Sequence, residues 1–222
     1  MEIGENSLPD RILERHGLKS FTTPYSRSKS NIDYAITLEK SNYVDLLTPG
    51  MLYYSYSDES DSSKKTVRSK IITDCDDIFS DAHQKGFEFS KDVIKNKKHY
   101  QTVKSAINRL IKLRKSLSKV CFLYYYENSP NMNLETLFYK VNNFLEFYNV
   151  NPKKRAFAVV FTQKIVGDKS ERTVIQKPVN DNLCFFEFHT TKEWKGKNPD
   201  QHYALIDDDL IKKMIDEMKL KF

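Results

Sequence analysis

The residues Gly4-Glu5-Asn6-Ser7 place a hydroxyl where a short apolar segment gives way to a helix-forming one. A side-chain oxygen at a helix start lies beside unpaired backbone N–H groups, which can hold a developing oxyanion. Asn6 adds a side-chain donor, and Glu5 stands one step back. Serine becomes nucleophilic only with an adjacent base. His189, which closes an apolar run, is the candidate base, with Asp207 or Asp208 to orient it. The same residues support plainer roles. Ser7-Leu8-Pro9-Asp10 is a good helix-capping sequence, and a lone histidine at a strand end also serves as a polar terminus.

Further polar groups follow the other apolar runs: Glu127 and Asn128 after Val120–Tyr126, and Gln163 after Ala156–Thr162. The loop Ser20–Ser26, which contains Tyr25, leads to Asn31 and Asp33. It reads either as a pocket wall beside Ser7 or as a capped loop-to-helix junction. His16 suits a helix end, and His83 and His99 fall in irregular or basic surroundings. No histidines and acids share metal-ligand spacing, and Gly4 is isolated rather than part of a phosphate-binding loop. No metal and no cofactor are therefore expected.

Positioning such groups requires an ordered set of strands and helices. A helix is expected over about Leu8–His16, stopped by Gly17, and another over Ile32–Lys40, capped by Asn31 or by Ser30 with Asp33. Met51–Tyr56 and Val67–Thr73 read as strands around the polar insert Ser57–Thr66, and Asp74–Lys95 reads as irregular. After Asn96, the spacing of Tyr100, Val103, Ile107, Leu110 and Ile111 predicts a long helix. Val120–Tyr126, Ala156–Thr162 and Leu183–Phe188 read as strands buried on both faces. Between the first two, Asn133 opens an amphipathic helix, and Asp207–Asp209 open a last one. This order predicts an α/β fold, one domain over residues 1–222 with a mostly parallel sheet flanked by helices. In such sheets, ligands bind beyond the carboxyl ends of the strands. The polar residues named above belong to that rim.

Composition narrows the function. With 39% hydrophobic and 30% charged residues the chain is ordinary globular material rather than a disordered segment. No apolar stretch approaches the ~20 residues needed to span a bilayer. The amino-terminal residues lack the basic start and apolar run of a secretory signal, so a cytoplasmic location is expected. Three cysteines without metal-type spacing read as reduced core thiols. The net charge of +6 is spread among many acids. The basic stretch Lys95–Lys115 lacks interleaved stacking aromatics, so no nucleic-acid partner is expected.

The segments Ile3-Gly4-Glu5-Asn6-Ser7-Leu8-Pro9-Asp10, His16-Gly17-Leu18-Lys19-Ser20-Phe21 and Pro24-Tyr25-Ser26 resemble the start of a bacterial family of papain-like cysteine peptidases, a domain of unknown function. Gly86-Phe87-Glu88-Phe89, Asp92, Tyr100 and the basic helix leading to Val120 resemble its second block. The likeness covers about residues 1–126 and is carried mostly by the first 34. It implies a catalytic pocket at the turn, with Asp92 in the catalytic set and a peptide, a small molecule or an acyl group on a glycan as substrate. Two departures stand out. The family's nucleophilic cysteine is Ser7 here, and its histidine before the aspartate is replaced within Ser90-Lys91-Asp92. Two readings follow from the resemblance: a hydrolase or acyl-transferring enzyme acting through Ser7 with His189 or His83 as base, or a catalytically degenerate relative that binds a ligand or partner in the same pocket.

Overall fold

A computed structural model describes residues 1–222 except 27, 57–64, 72–74, 80–85, 152, 154, 197 and 221–222. The apolar runs form the centre of a five-stranded sheet. Its strands are β1 (Glu2–Gly4), β5 (Val120–Tyr125), β6 (Ala156–Ile165), β7 (Thr173–Asn180) and β8 (Leu183–Thr190), in the order β1-β5-β6-β8-β7. β1, β5, β6 and β8 are mutually parallel, and β7 is antiparallel to β8. The fold is therefore the expected α/β type, a mostly parallel sheet flanked by helices.

Six α-helices accompany the strands among the described residues: α1 (Leu8–Arg15), α2 (Ile32–Lys40), α3 (Lys97–Lys115), α4 (Leu134–Glu146), α5 (Pro199–His202) and α6 (Asp208–Leu220). Alternation along the strands sorts the core into two layers. Phe122, Tyr124, Val160 and Phe185 pack with Tyr34 and Leu38 of α2, Leu110 of α3, and Leu137, Val141 and Phe144 of α4. Leu123, Tyr125, Val159, Phe161, Phe186 and Phe188 pack with Ile12 and Leu13 of α1 and with Ile211, Met214 and Ile215 of α6. Both faces are covered, which is why the three central strands lack polar alternation.

Several local expectations need correction. β7 was not anticipated; its residues are largely exposed and its apolar signal is weak. Pro178 is tolerated there because β7 is an edge strand. The hairpin consists of β2 (Leu52–Tyr56) and β3 (Lys65–Ser69), so the second strand begins earlier and ends earlier than Val67–Thr73. It belongs to a separate antiparallel sheet, β2-β3-β4, whose third strand is β4 (Phe87–Phe89), inside the stretch read as irregular. Most of the polar insert lies outside the described residues. Gly86 precedes β4 at φ +92°, and a Cβ there would come within 2.6 Å of the Ser69 carbonyl oxygen. Only glycine allows that approach. Gly17, at φ +68°, turns the chain out of α1 as expected.

Candidate functional site

The β1–α1 turn is built differently from the capping pattern read in the sequence. Ser7 occupies the N-cap position, and its carbonyl accepts the first helical bond from Arg11 N at 3.2 Å. Its backbone angles, φ −79° and ψ 1°, are not those of an extended cap, and its side chain makes no capping bond. Asn6 caps instead, its Oδ1 accepting from Leu8 N at 2.9 Å. That spends the Asn6 oxygen on the helix. The Ser7 hydroxyl, half-buried, is not consumed by the turn.

Behind the turn lies an acidic pair that only the fold assembles. Glu5 is fully buried; its amide extends the β1–β5 ladder to Tyr125 O at 3.4 Å. Its carboxyl accepts from Tyr124 OH at 3.2 Å and from Glu127 N at 3.3 Å. Burial and then the negative charge of Glu127 raise the Glu5 pKa well above the carboxylate range, against the lowering by those two bonds and by Lys195. Glu127 forms an ion pair with Lys195 Nζ at 2.5 Å, and Lys195 also reaches Glu193 at 3.2 Å. Burial opposes the Lys195 charge, but its two carboxylate partners outweigh burial and raise its pKa. The arrangement is thus a buried carboxyl with a raised pKa, backed by an ion pair at the sheet rim. Lys195 gave no signal in the sequence. It follows β8 by several residues, and only the parallel pairing of β1, β5, β6 and β8 brings that loop over β5.

Asn128 follows β5 as expected, but Gln163, read as standing just past its strand, lies within β6, which runs on to Ile165 and pairs Gln163 with Phe188. Asn128 Nδ2 donates to Gln163 O at 2.5 Å, and Thr162 donates to Asn128 Oδ1. Gln163 Nε2 donates to Thr190 Oγ1 at 2.6 Å and to Lys192 O at 2.8 Å, while its Oε1 accepts from Trp194 N at 2.9 Å. Both ends of the amide are spent on holding the loop after β8, and Gln163 is buried. It is a bracing residue in this geometry.

Three of the described histidines are committed elsewhere, while His202, on α5, packs against Tyr203 and leaves its Nδ1 without a hydrogen-bond partner among the described residues. His189 Nε2 bonds Glu187 Oε1 at 2.6 Å along its own strand. β8 stands three strands from β1, which at ~4.8 Å per strand is roughly 14 Å, well beyond hydrogen-bond reach of the Ser7 turn. His16, the C-cap residue of α1, pairs with Asp208 at 3.1 Å, and His99 bonds the Asp92 carbonyl at 3.2 Å. Asp208 therefore serves His16, and Asp207 accepts from Arg172 and Trp194. No hydrogen bond joins Ser7 to a histidine among the described residues; His83 lies outside them.

Asp92 belongs to the small sheet. It accepts from Tyr54 OH at 2.9 Å and caps the turn through Ile94 N at 3.0 Å and Lys95 N at 2.9 Å. Slight burial opposes its charge, yet the Lys95 amide, Tyr54 hydroxyl and Ile94 amide together hold its carboxyl below the usual range. Tyr25 is a core residue rather than a pocket wall, its hydroxyl 2.8 Å from that of Tyr43. Asn31 caps α2 by accepting from Tyr34 N at 3.0 Å, and its Nδ2 donates to Cys75 Sγ at 3.5 Å. Asp33 pairs with Lys140 at 2.6 Å and accepts from Asp76 N at 3.3 Å. Asn31 and Asp33 thus anchor the segment around Cys75 and Asp76 to α2. All three cysteines are free. Among the described residues no cluster of three or more His, Cys, Asp or Glu could hold a metal ion, and no helix is long and apolar enough to cross a membrane.

No family model matches the chain, and neither a curated protein nor a solved structure matches it.

Proposed function

We propose that this chain is a non-hydrolytic relative of the papain-like cysteine peptidases it resembles, one that binds a ligand or partner at the rim around Ser7 without cleaving a bond. The observation that carries this reading is the isolation of the Ser7 hydroxyl. A serine at pH 7 is a weak nucleophile unless a base accepts its proton; His16, His99 and His189 are bonded to other groups, and no hydrogen bond joins the remaining described histidine, His202, to Ser7. Glu5, two residues before Ser7, has a raised pKa, and its carboxyl accepts from Tyr124 OH and Glu127 N. What the rim offers a ligand is a half-buried hydroxyl, Asn6, and the Glu127–Lys195 pair.

Incubation with a serine-reactive fluorophosphonate, followed by intact-mass analysis, tests the reading. The expected result is no adduct on Ser7. An adduct that disappears in Ser7→Ala would overturn it. The Ser7→Cys variant asks the complementary question. If the helix start still favours an anion, the new thiol reacts faster with iodoacetamide than Cys75, Cys121 and Cys184.

A further inference from the structure

A second site is independent of the Ser7 turn. Between the loop after α1, the end of β4 and the first half of α3 lies a cleft of about 260 Å³. That is below the ~300–1,000 Å³ of drug-sized sites, so it suits one small molecule. Its wall is formed by Thr23, Ser26, Ser28, Lys91, His99 and Thr102, over a floor that includes Phe89 and Val93. From this wall we infer that the cleft binds a small polyhydroxylated anion, a sugar acid or a sugar phosphate.

The inference rests on which way the hydroxyl protons point. Thr23 Oγ1 donates to Glu2 Oε1 at 2.7 Å, and Ser26 Oγ donates to the same oxygen. Ser28 Oγ donates to Pro24 O at 2.9 Å, and Thr102 Oγ1 to Lys98 O at 2.9 Å. A hydroxyl has one proton and two lone pairs. All four have therefore spent their proton inside the protein and present only acceptor capacity. Thr23 and Ser26 have each used one lone pair as well, on Tyr25 N and Thr23 N. Glu2, 2% exposed, leaves Oε2 without a partner beside these groups. Four such acceptors favour a ligand rich in donors, which is the character of a polyol, while the Thr22 and Ser90 hydroxyls, also in the lining, can either donate or accept.

The charge comes from Lys91. Lys91 is exposed at the mouth of the cleft and has no ion-pair partner among the described residues. Lys19, also in the lining, is held by Asp10 at 2.7 Å, and the lining carboxylate Glu14 is held by Arg11 at 3.0 Å. His99 Nδ1 faces the Asp92 carbonyl, which can only accept, so Nδ1 carries the proton and Nε2 is left for the cleft. An ammonium group without an ion-pair partner, lining the same cleft as several hydroxyl acceptors, matches a molecule with one carboxylate or phosphate and several hydroxyls. The apolar floor suits the C–H face of a sugar ring.

Two-dimensional NMR of the full chain, titrated separately with glucuronate, glucose 6-phosphate, glucose and inorganic phosphate, tests this. Glucuronate or glucose 6-phosphate is expected to perturb Thr23–Ser28, Ser90–Asp92 and His99–Thr102. Lys91→Ala, at an exposed position that leaves the fold intact, is expected to weaken that binding about tenfold or more. Three results would overturn the proposal: no perturbation by either charged sugar at millimolar concentration, inorganic phosphate binding as tightly as glucose 6-phosphate, or affinity unchanged in Lys91→Ala. Perturbations centred on Asn6, Ser7 and Lys195 instead would also overturn it, while favouring a ligand at the sheet rim.

Discussion

Replacing Glu5 by glutamine removes one titration and keeps the shape of the side chain. In the native chain the Glu5 carboxyl is fully buried and its pKa is raised, first by burial and then by Glu127. The folded state therefore holds a proton that the unfolded state releases once the pH passes the ordinary value of 4.5. With more protons bound in the folded than in the unfolded chain, stability falls as pH rises through that window. One proton corresponds to a slope of up to about 1.4 kcal/mol per pH unit. In Glu5→Gln the amide stays neutral at every pH. Its N–H₂ can donate to the Tyr124 oxygen, reversing that bond, while its oxygen still accepts from Glu127 N. The variant is thus expected to gain on the native protein as pH is raised from 4.5, by up to about 1.4 kcal/mol per unit until Glu5 ionises. For a chain of this size that is roughly 3–6 °C in Tm per pH unit. Urea unfolding of both proteins, at half-unit steps from pH 4.5 to 8, measures the difference directly. Other titrating groups, Glu39 among them, cancel between the two curves. Parallel curves would refute the reasoning, because they would mean that Glu5 titrates alike in the folded and unfolded states.

Two further outcomes test the site and its supports. Asn6→Ala is expected to cost about 1 kcal/mol through loss of the bond to Leu8 N, whereas Ser7→Ala is expected to be nearly neutral. Thermal unfolding that reverses this order would return the cap to Ser7. Arg114→Ala strips the cation from Glu39, whose buried carboxylate also accepts from Tyr43 OH at 2.7 Å and from Tyr148. Burial already raises the Glu39 pKa, and Arg114 is among the groups opposing it. A loss of about 3 kcal/mol is expected, with partial recovery in the Arg114→Ala/Glu39→Gln double variant. A loss below about 1 kcal/mol would show that the tyrosine hydroxyls suffice.

Much of the architecture was legible because the central strands are apolar on both faces. Val120–Tyr126, Ala156–Thr162 and Leu183–Phe188 could hardly be anything but the interior of a covered sheet, and the helical spacing of Val103, Ile107 and Leu110 announced α3. Edge and accessory strands were harder. β7 is exposed along most of its length and β4 has three residues, so neither carries a pattern long enough to separate from a loop. Of the residues the strand-end rule named, Glu5, Asn6, Ser7, Glu127 and Asn128 do follow β1 and β5, whereas β6 and β8 continue through Gln163 and His189.

Local sequence determined which residues stand at strand ends and helix starts, because periodicity and capping act over a few positions. It could not determine what those residues face. Strand order did that: β8 lies three places from β1, which separates His189 from Ser7, and the chain leaving β8 returns over β5 to set Lys195 against Glu127. Hydrogen-bond direction was equally a tertiary matter. Asn6 rather than Ser7 caps α1, and Glu2 draws in the protons of Thr23 and Ser26, because the partners that decide each bond come from the folded neighbourhood rather than from the residue type.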